Sequence, residues 1–139
     1  MTGGLLLGTL ELAALDPPLR LPDRFLPAFA SGGVLTAWLD GCLALWPQAT
    51  WADLAARITS LPLSAPGSRT FGRLLFSSAL EFRFDPTGIV VPNPHRRLAG
   101  IDAQTILVGA GDHAELWNPA RWAATSARRL DELELPAAV

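Results

Sequence analysis

LWPQATWA, residues 45–52, recurs as LWNPARWA at residues 116–123, so two tryptophans return with the same spacing 71 positions later. Further upstream, the dipeptide Asp-Pro at 16–17 is repeated at 85–86, at nearly the same offset. Self-similarity at a nearly fixed period is the signature of a duplicated structural unit. The sequence therefore predicts two copies of a unit of about 70 residues.

Each copy is predicted to have the element order ββαββα. It begins with a strand in which apolar and charged residues alternate, as at residues 80–84, so that one face is buried and the other is wet. A very short apolar strand follows, LRL at 19–21 or IVV at 89–91. A short helix, a hairpin and a closing helix complete each copy. Neither copy alone has enough apolar residues for more than a marginal core.

Local signals place several turns and helix starts. Asp40-Gly41 and Gly111-Asp112 are residue pairs typical of tight hairpin turns. Asn118-Pro119 is typical of the cap and first residue of a helix. Thr50 and Asp53 have the spacing of a capping box, which predicts a helix start at this point.

The stretch SLPLSAPGS, residues 60–68, is rich in Ser, Pro and Gly, which favours a linker over a regular element. The predicted division is therefore a first module at 1–59, this linker, a second module at 69–130, and an acidic C-terminal tail at 131–139. Because the two modules repeat each other, we expect them to have the same fold.

The composition indicates a soluble, cytoplasmic protein that does not enter a membrane. Half of the 139 residues are hydrophobic, which is ample for a core. No apolar run reaches the roughly 20 residues that a membrane span needs. The stretch from Met1 to Asp16 carries no positive side chain and too short an apolar core for a signal peptide.

Cysteine and histidine are too sparse for a metal site or a catalytic centre. Cys42 is the single cysteine, which excludes an internal disulfide, and His95 and His113 are the only histidines. Neither histidine has a nucleophile motif near it in the sequence, and no glycine-rich phosphate loop is present. We therefore predict no catalytic residues, no metal, no cofactor and no enzyme activity.

The arginines are unevenly distributed along the chain. All 11 cationic side chains are arginine, and the net charge of −2 argues against a globally basic nucleic-acid binder. Residues 69–101 nevertheless contain five arginines against two acidic residues, a local charge of +3. Three acidic residues lie at 131–134. The region around the second copy is thus the better candidate for contact with an anion.

Three stretches match one protein family in order and spacing: RLLFSSALEFRFD (73–85), VPNPHRRLAGI (91–101) and LVGAGDHAELWNPARW (107–122). The chain resembles the MraZ proteins, which carry two tandem modules of the SpoVT/AbrB type. The resemblance implies an α+β fold in which two AbrB-like ββαββα modules form a swapped-hairpin β-barrel with peripheral helices. It also implies a ring-like homo-oligomer at the nucleoid that binds repeated double-stranded DNA boxes upstream of the division and cell-wall gene cluster, usually as a repressor.

The family signature that the resemblance brings is a D-x-x-x-R loop in each module. Asp16 and Arg20 keep this spacing in the first copy, although Pro-Pro-Leu replaces the flexible, basic interior. The second copy keeps Asp85 and Gly88 but continues directly with Ile89, so the arginine of the motif is missing. Arginine suits such a loop because its guanidinium presents forked donors to phosphate oxygens or to guanine.

The other candidate DNA contacts are arginines outside the motif: Arg24, Arg69, Arg73, Arg96 and Arg97. Arg69 and Arg73 share one face if their segment is helical, where a solvated or inter-subunit face is the alternative. Arg96 and Arg97 are predicted just inside a capped helix, where the helix dipole disfavours cations. A phosphate or a structural carboxylate would explain them there.

Two functions stay open on the sequence. The first is a DNA-binding regulator that acts mainly through the Arg20 loop. The second is an oligomeric scaffold or protein-binding module that keeps the fold and has lost its DNA-reading loops. Arg20 has a structural alternative as well, a surface pair with Asp16 that would contribute less than about 1 kcal/mol. The repeated tryptophans favour packing over base stacking.

Overall fold

The computed structural model describes residues 4–13, 18–83 and 88–137. Within these residues the strands are β1 (Thr9–Ala13), β2 (Gly33–Ala37), β3 (Leu43–Pro47), β4 (Leu80–Phe82), β5 (Gln104–Gly109) and β6 (Ala114–Trp117). The α-helices are α1 (Gln48–Thr59), α2 (Pro66–Ser78), α3 (Asn93–Ala99) and α4 (Pro119–Ser126), and short 3-10 helices span Asp23–Phe29, Leu39–Gly41 and Leu130–Glu132.

The strands form one antiparallel sheet in the order β1-β5-β6-β3-β2-β4. The hairpins β2–β3 and β5–β6 each pair within their own copy. The first strand of each copy instead pairs with the hairpin of the other copy, β1 with β5 and β4 with β2. The predicted α+β class and the exchange of strands between modules are both confirmed by this pairing.

The exchange is reciprocal and gives the sheet a pseudo-twofold axis. In one half, Leu10 of β1 lies opposite Leu107 of β5. In the other half, Leu80 of β4 lies opposite Leu35 of β2. The first copy thus gives a strand to the hairpin of the second copy, and the second copy gives the equivalent strand to the hairpin of the first. Such mutual contact is the property of an isologous interface. A duplicated sequence has produced within one chain the symmetry of a dimer.

Equivalent residues of the two copies meet each other on this axis. Ala44 of β3 lies opposite Glu115 of β6, and these positions are related by the same offset as the two tryptophan pairs. Leu19 and Ile89, which begin the repeated stretches LRL and IVV, exchange two backbone hydrogen bonds with N···O distances of 2.8 and 2.9 Å. The two predicted strands are therefore reduced to this one bridge. Pro22 and Pro92 follow closely, and proline has no N–H with which to continue a ladder.

One face of the sheet carries the main core, to which both copies contribute. Side chains at alternate positions of a strand point to the same face, so one face receives every second residue. Its most deeply buried members include Leu35, Leu45, Leu107 and Leu116 from the two hairpins, with Leu19, Phe25 and Phe29 from the segments that cover them. Since leucines from both halves fill one core, the structure agrees with the expectation that neither half could bury it alone.

The opposite face of the sheet is covered by helices. Leu54 of α1 and Leu75 of α2 pack on Trp46 and its neighbours in β2 and β3. Trp122 of α4 packs on Trp117 of β6, with ring centroids 5.4 Å apart. Trp46 and Trp117 are almost completely buried. The prediction that the repeated tryptophans serve in packing is thus confirmed for this pair of positions.

The predicted hairpin turns and one predicted cap are present. Asp40 and Gly41 have φ values of 63° and 80°, and Gly111 has a φ of 92°, the left-handed backbone that tight hairpin turns require. The side chain of Asn118 accepts a hydrogen bond from the backbone N–H of Arg121 at 3.0 Å and caps α4. Short-range sequence signals were sufficient for these features because neighbouring residues alone determine them.

Two local expectations were not met. α1 begins at Gln48 behind Pro47, so Thr50 lies inside the helix and the predicted capping box is wrong. α2 begins at Pro66, so its first turn takes up the end of the segment 60–68 that the sequence favours as linker. Proline at the start of a helix is well tolerated because its missing N–H has no partner there anyway. None of the helices in the described ranges has the length and apolar character that crossing a membrane requires.

Candidate nucleic-acid interface

Arg20 lies beside the bridge that joins the two copies on the pseudo-twofold axis. Its neighbour Leu19 is buried and holds Ile89 through the two backbone hydrogen bonds. The side chain of Arg20 itself is exposed and makes no ion pair with any described residue. Asp16 and Asp85, the acidic residues of the two predicted loops, lie outside the described residues. Within the described part of the chain, a rigid base thus carries an unpaired guanidinium at the surface.

Gly88 provides the space in which Arg20 lies. Its φ is +91°, a conformation that side chains rarely adopt. A Cβ at this position would overlap the carbonyl oxygen of Leu19 and would lie 3.3 Å from Cγ of Arg20. The second copy lacks the arginine of the motif but keeps its glycine, and this glycine admits the backbone of Leu19, the residue before the arginine of the first copy. The two loop bases therefore form one unit.

Arg24 is exposed and has neighbours of its own. Its guanidinium carbon is 5.2 Å from the ring centroid of Phe25. One guanidinium nitrogen is 3.4 Å from the position that a Cβ on Gly8 would occupy, immediately before β1. Stacking on Phe25 holds the charge in place without neutralising it, since the aromatic ring carries no net charge.

Arg69 and Arg73 lie together on α2, so the conditional prediction of a shared helical face is confirmed. Arg69 donates a hydrogen bond from Nη1 to the backbone oxygen of Leu63 at 2.6 Å. Both arginines border an open groove between the end of α1 and the start of α2. Their surroundings are apolar and differ from those of Arg20, so the structure does not gather all predicted site residues into one patch.

Arg96 and Arg97 lie at the opposite end of their helix from the predicted one. α3 ends at Ala99, and both arginines fall in its last turn, where the helix dipole favours a cation. The reasoning that an anion must compensate them at a helix N-terminus is therefore wrong. Arg96 is half-buried and donates from Nε to the backbone oxygen of Val91 at 3.1 Å, a structural contact. Arg97 is exposed.

Comparison with known proteins assigns the chain to a family. The family model described as "MraZ protein, putative antitoxin-like" matches residues 19–74. A protein of Thermomicrobium roseum named Transcriptional regulator MraZ is 41% identical over 107 residues, covering 76% of this chain and 75% of that protein. A protein of the same name from Leuconostoc mesenteroides is 33% identical over 123 residues, 86% of each chain. This chain belongs to the MraZ family.

Membership in the MraZ family confirms the resemblance noted in the sequence. The family model ends at residue 74, yet the pairwise similarity to the relative from Leuconostoc mesenteroides extends over 86% of the chain. The MraZ relative from Roseiflexus castenholzii is 36% identical over 105 residues. Similarity over 86% of the chain includes both copies of the unit. Strands of both copies also take part in the one sheet.

Arg83 is a further exposed cation that motif matching in this MraZ chain passed over. It follows β4 directly, at the entrance to the second loop, and its Cγ is 3.5 Å from the position of a Cβ on Gly32. It was noticed only as part of the local charge. The sequence signal that could have identified Arg83 is its position between an alternating strand and the Asp85 loop. Arg83 is therefore an exposed cation directly before the second loop.

Arg121 was also missed, and its role is structural. Its Nη1 donates to the backbone oxygens of Gly41 and Leu98, at 3.1 and 3.4 Å. It thereby links the β2–β3 turn to α3. No sequence signal marks it, because its partners are backbone atoms of residues far away along the chain.

Two buried titratable groups, His113 and Cys42, have shifted pKa values. His113 Nδ1 lies 2.8 Å from Asp112 Oδ1 and Nε2 lies 2.9 Å from Glu115 Oε2, where an ionised carboxylate accepts a hydrogen bond from a ring N–H. The ring stacks on Trp46 at 4.4 Å between centroids. Burial lowers the pKa of His113, but the hydrogen bonds and charges of Glu115 and Asp112 outweigh burial and raise it above 6.5. Burial raises the pKa of the Cys42 thiol, which therefore stays protonated.

Proposed function

We propose that this chain is a sequence-specific, DNA-binding transcriptional regulator that represses the division and cell-wall gene cluster. It acts at the nucleoid of the cytoplasm as a ring-like homo-oligomer on repeated promoter boxes. The observation that carries this proposal is the exposed guanidinium of Arg20, unpaired among the described residues, on the rigid bridge between the two copies. The name of these relatives, Transcriptional regulator MraZ, supports the same function class.

Arg20 is suited to this role because its base is fixed while its charge is exposed. The bridge between Leu19 and Ile89 limits the backbone freedom of the loop base, so less conformational entropy is lost when a ligand binds. An arginine that reaches a guanine in the major groove makes two parallel hydrogen bonds, worth about 1–3 kcal/mol of discrimination. Arg83, at the entrance to the second loop, would add contact with the phosphate backbone.

A single strong cation per chain gives weak binding, and assembly compensates for this. A ring presents several Arg20 loops to several boxes on one DNA molecule. Once one loop is bound, the others bind at a high effective concentration, so the overall affinity exceeds that of any one loop by orders of magnitude. Binding of this kind depends steeply on salt, because each neutralised phosphate releases counterions.

The test is fluorescence anisotropy of the protein with its own upstream DNA and with a scrambled DNA, over a series of salt concentrations. We expect selective binding that Arg20→Ala abolishes, with the slope of log K against log salt reduced by about 0.9 for each lost phosphate contact. Arg128→Ala, which removes the same charge from an exposed arginine after α4, is the matched control and should retain selectivity.

Equal, weak binding to both DNAs that Arg20→Ala leaves unchanged would contradict the proposal. The scaffold or protein-binding function would then be favoured, since the second loop already lacks its arginine. Size measurement by light scattering on the same samples separates a loss of DNA contact from a loss of assembly.

A further inference from the structure

The end of α1 and the start of α2 enclose an open groove of about 470 Å³ with apolar walls and a cationic border. We call it the α1–α2 groove. Its walls include Ile58, Leu61, Leu63 and Phe76, and Arg69 and Arg73 lie at its border. Leu63 is 78% exposed, and Leu61 and Phe76 are 38% and 37% exposed. A contiguous exposed apolar surface with polar neighbours is typical of an interaction site.

The groove is left open by the way in which α2 packs. Leu75 points to the sheet and is buried against the cluster around Trp46. Leu74 and Phe76, its neighbours, remain partly exposed, and the ring of Phe76 packs edge-on against Trp51 of α1 with centroids 5.8 Å apart. Arg73 makes no ion pair with another described residue, and Arg69 uses one guanidinium nitrogen for the Leu63 carbonyl. Two positive charges are thus available beside the apolar walls.

The segment after α4 has the complementary chemistry. Residues 130–137, LDELELPA, which we call the leucine–acid segment, combine three leucines with three carboxylates. Leu130 and Leu135 are 84% and 60% exposed. Asp131 pairs with Arg129 at 3.1 Å, whereas Glu132 and Glu134 form no ion pair with any described residue. The 3-10 turn Leu130–Glu132 brings Leu130 next to Leu133, because residues three apart in such a turn are aligned.

We propose that the leucine–acid segment of one copy binds in the α1–α2 groove of a second copy of this chain. The leucines fill the apolar groove, and the carboxylates meet Arg69 and Arg73. Two carboxylates that are unpaired among the described residues, Glu132 and Glu134, oppose two positive charges, and complementary charge of this kind fixes partner and register. The proposal deepens the homo-oligomeric part of the proposed function and rests on it. It specifies which surfaces join the subunits.

The occupant is the segment of a neighbour, because the chain's own segment leaves its groove open. Leu63 in the groove is 78% exposed, and Leu130 and Leu135 of the segment are 84% and 60% exposed. The two surfaces also lie over different strands, since α4 contacts β5 whereas α2 contacts β2, and β6 and β3 lie between those strands.

A contact between two different surfaces joins subunits head to tail. Each copy offers one segment and one groove, so the interface is heterologous and forms a ring where the rotation from one subunit to the next closes. Such a ring requires no further surface.

The test uses two variants that each lack a different half of the contact. One chain lacks residues 130–139 and keeps its groove, and the other carries Arg69→Glu and Arg73→Glu and keeps its segment. Sedimentation velocity should show that the full chain assembles, that each variant alone associates about a hundredfold more weakly, and that a mixture of the two forms a one-to-one complex. Thermal unfolding of each variant checks that it folds, since neither change touches a buried side chain.

Finer variants test the leucines and the charges separately. Leu130→Ser should weaken assembly, whereas Leu98→Ser, a change at a leucine that is 57% exposed on α3, should leave it unchanged. Reversing Glu132 and Glu134 to arginine in the chain with the reversed groove should restore assembly. Recovered assembly would show that these side chains form an ionic contact. A variant that had only unfolded would not regain assembly when the charges of the segment are also reversed.

Three results would overturn the proposal. Truncated chains that assemble like the full chain would show that other surfaces join the subunits, and DNA binding through Arg20 would be unaffected. A mixture of variants that forms no complex would show that the segment does not act between chains. A full chain that is monomeric would overturn both this inference and the homo-oligomer of the proposed function, while anisotropy with Arg20→Ala still tests the DNA contact independently.

Discussion

Gly88→Ala should destabilise the protein by about 3–4 kcal/mol, because it acts on the bridge at the pseudo-twofold axis. The left-handed backbone at φ +91° costs a residue with a side chain about 1–2 kcal/mol. The new Cβ would overlap the Leu19 carbonyl oxygen, which accepts the hydrogen bond from Ile89 N–H at 2.9 Å. Loss of this hydrogen bond and of the one from Leu19 N–H to the Ile89 oxygen lowers the free energy of unfolding by about 1 kcal/mol each.

Urea unfolding, followed by tryptophan fluorescence, measures the effect as a shift of the transition midpoint. Gly67→Ala is the matched control, because Gly67 lies in the first turn of α2 with nothing within 4 Å of its Cβ position. That change should be neutral or stabilising by up to about 1 kcal/mol, since alanine is the better helix former. Equal midpoints for the two variants would refute the argument that Gly88 is required by close approach of Leu19.

Two more perturbations test the core and the buried polar cluster. Leu116→Ala should cost about 2–5 kcal/mol in urea unfolding, because Leu116 is completely buried in the core shared by both copies, whereas Leu98→Ala at the exposed surface should change little. His113 has a folded-state pKa above its ordinary 6.5, so its contribution to stability is complete below pH 6.5 and is lost as the pH rises through the folded pKa. Thermal unfolding of His113→Gln should therefore lack the decline above pH 6.5 that the parent chain shows, and parallel profiles for both proteins would contradict this assignment.

The repeat was the most informative feature of the sequence. Two tryptophan pairs in register predicted a duplicated unit, and the pairing of Ala44 with Glu115 and of Leu19 with Ile89 places equivalent positions on one axis. Alternation in the first strand of each copy predicted one buried face, yet Leu10 and Leu80 remain 40% and 41% exposed, because β1 and β4 are the edge strands of the sheet. The turn at Asp40 and Gly41 and the cap at Asn118 depend on neighbours only, so local chemistry was enough to locate them.

Helix boundaries and the environment of each arginine were less predictable. A capping box at Thr50 agreed with local chemistry, yet α1 already starts at Gln48, where β3 ends at Pro47. Arg96 and Arg97 were expected at the start of a helix, but α3 is a single short helix that ends at Ala99, soon after Arg97. The length of a helix is decided by what it packs against, and this information is not contained in a short window of sequence.

The sequence by itself determined that this chain is a duplicated α+β unit with one arginine between its two motif loops, because spacing, alternation and motif residues are written along the chain. Only the tertiary structure decided that the glycine of the second loop admits the Leu19 backbone beside the arginine of the first, and that Arg69 and Arg73 border an apolar groove. The physical reason is distance along the chain. Gly88 and Leu19 belong to different copies of the unit, and their contact exists only because strands of one copy pair with strands of the other.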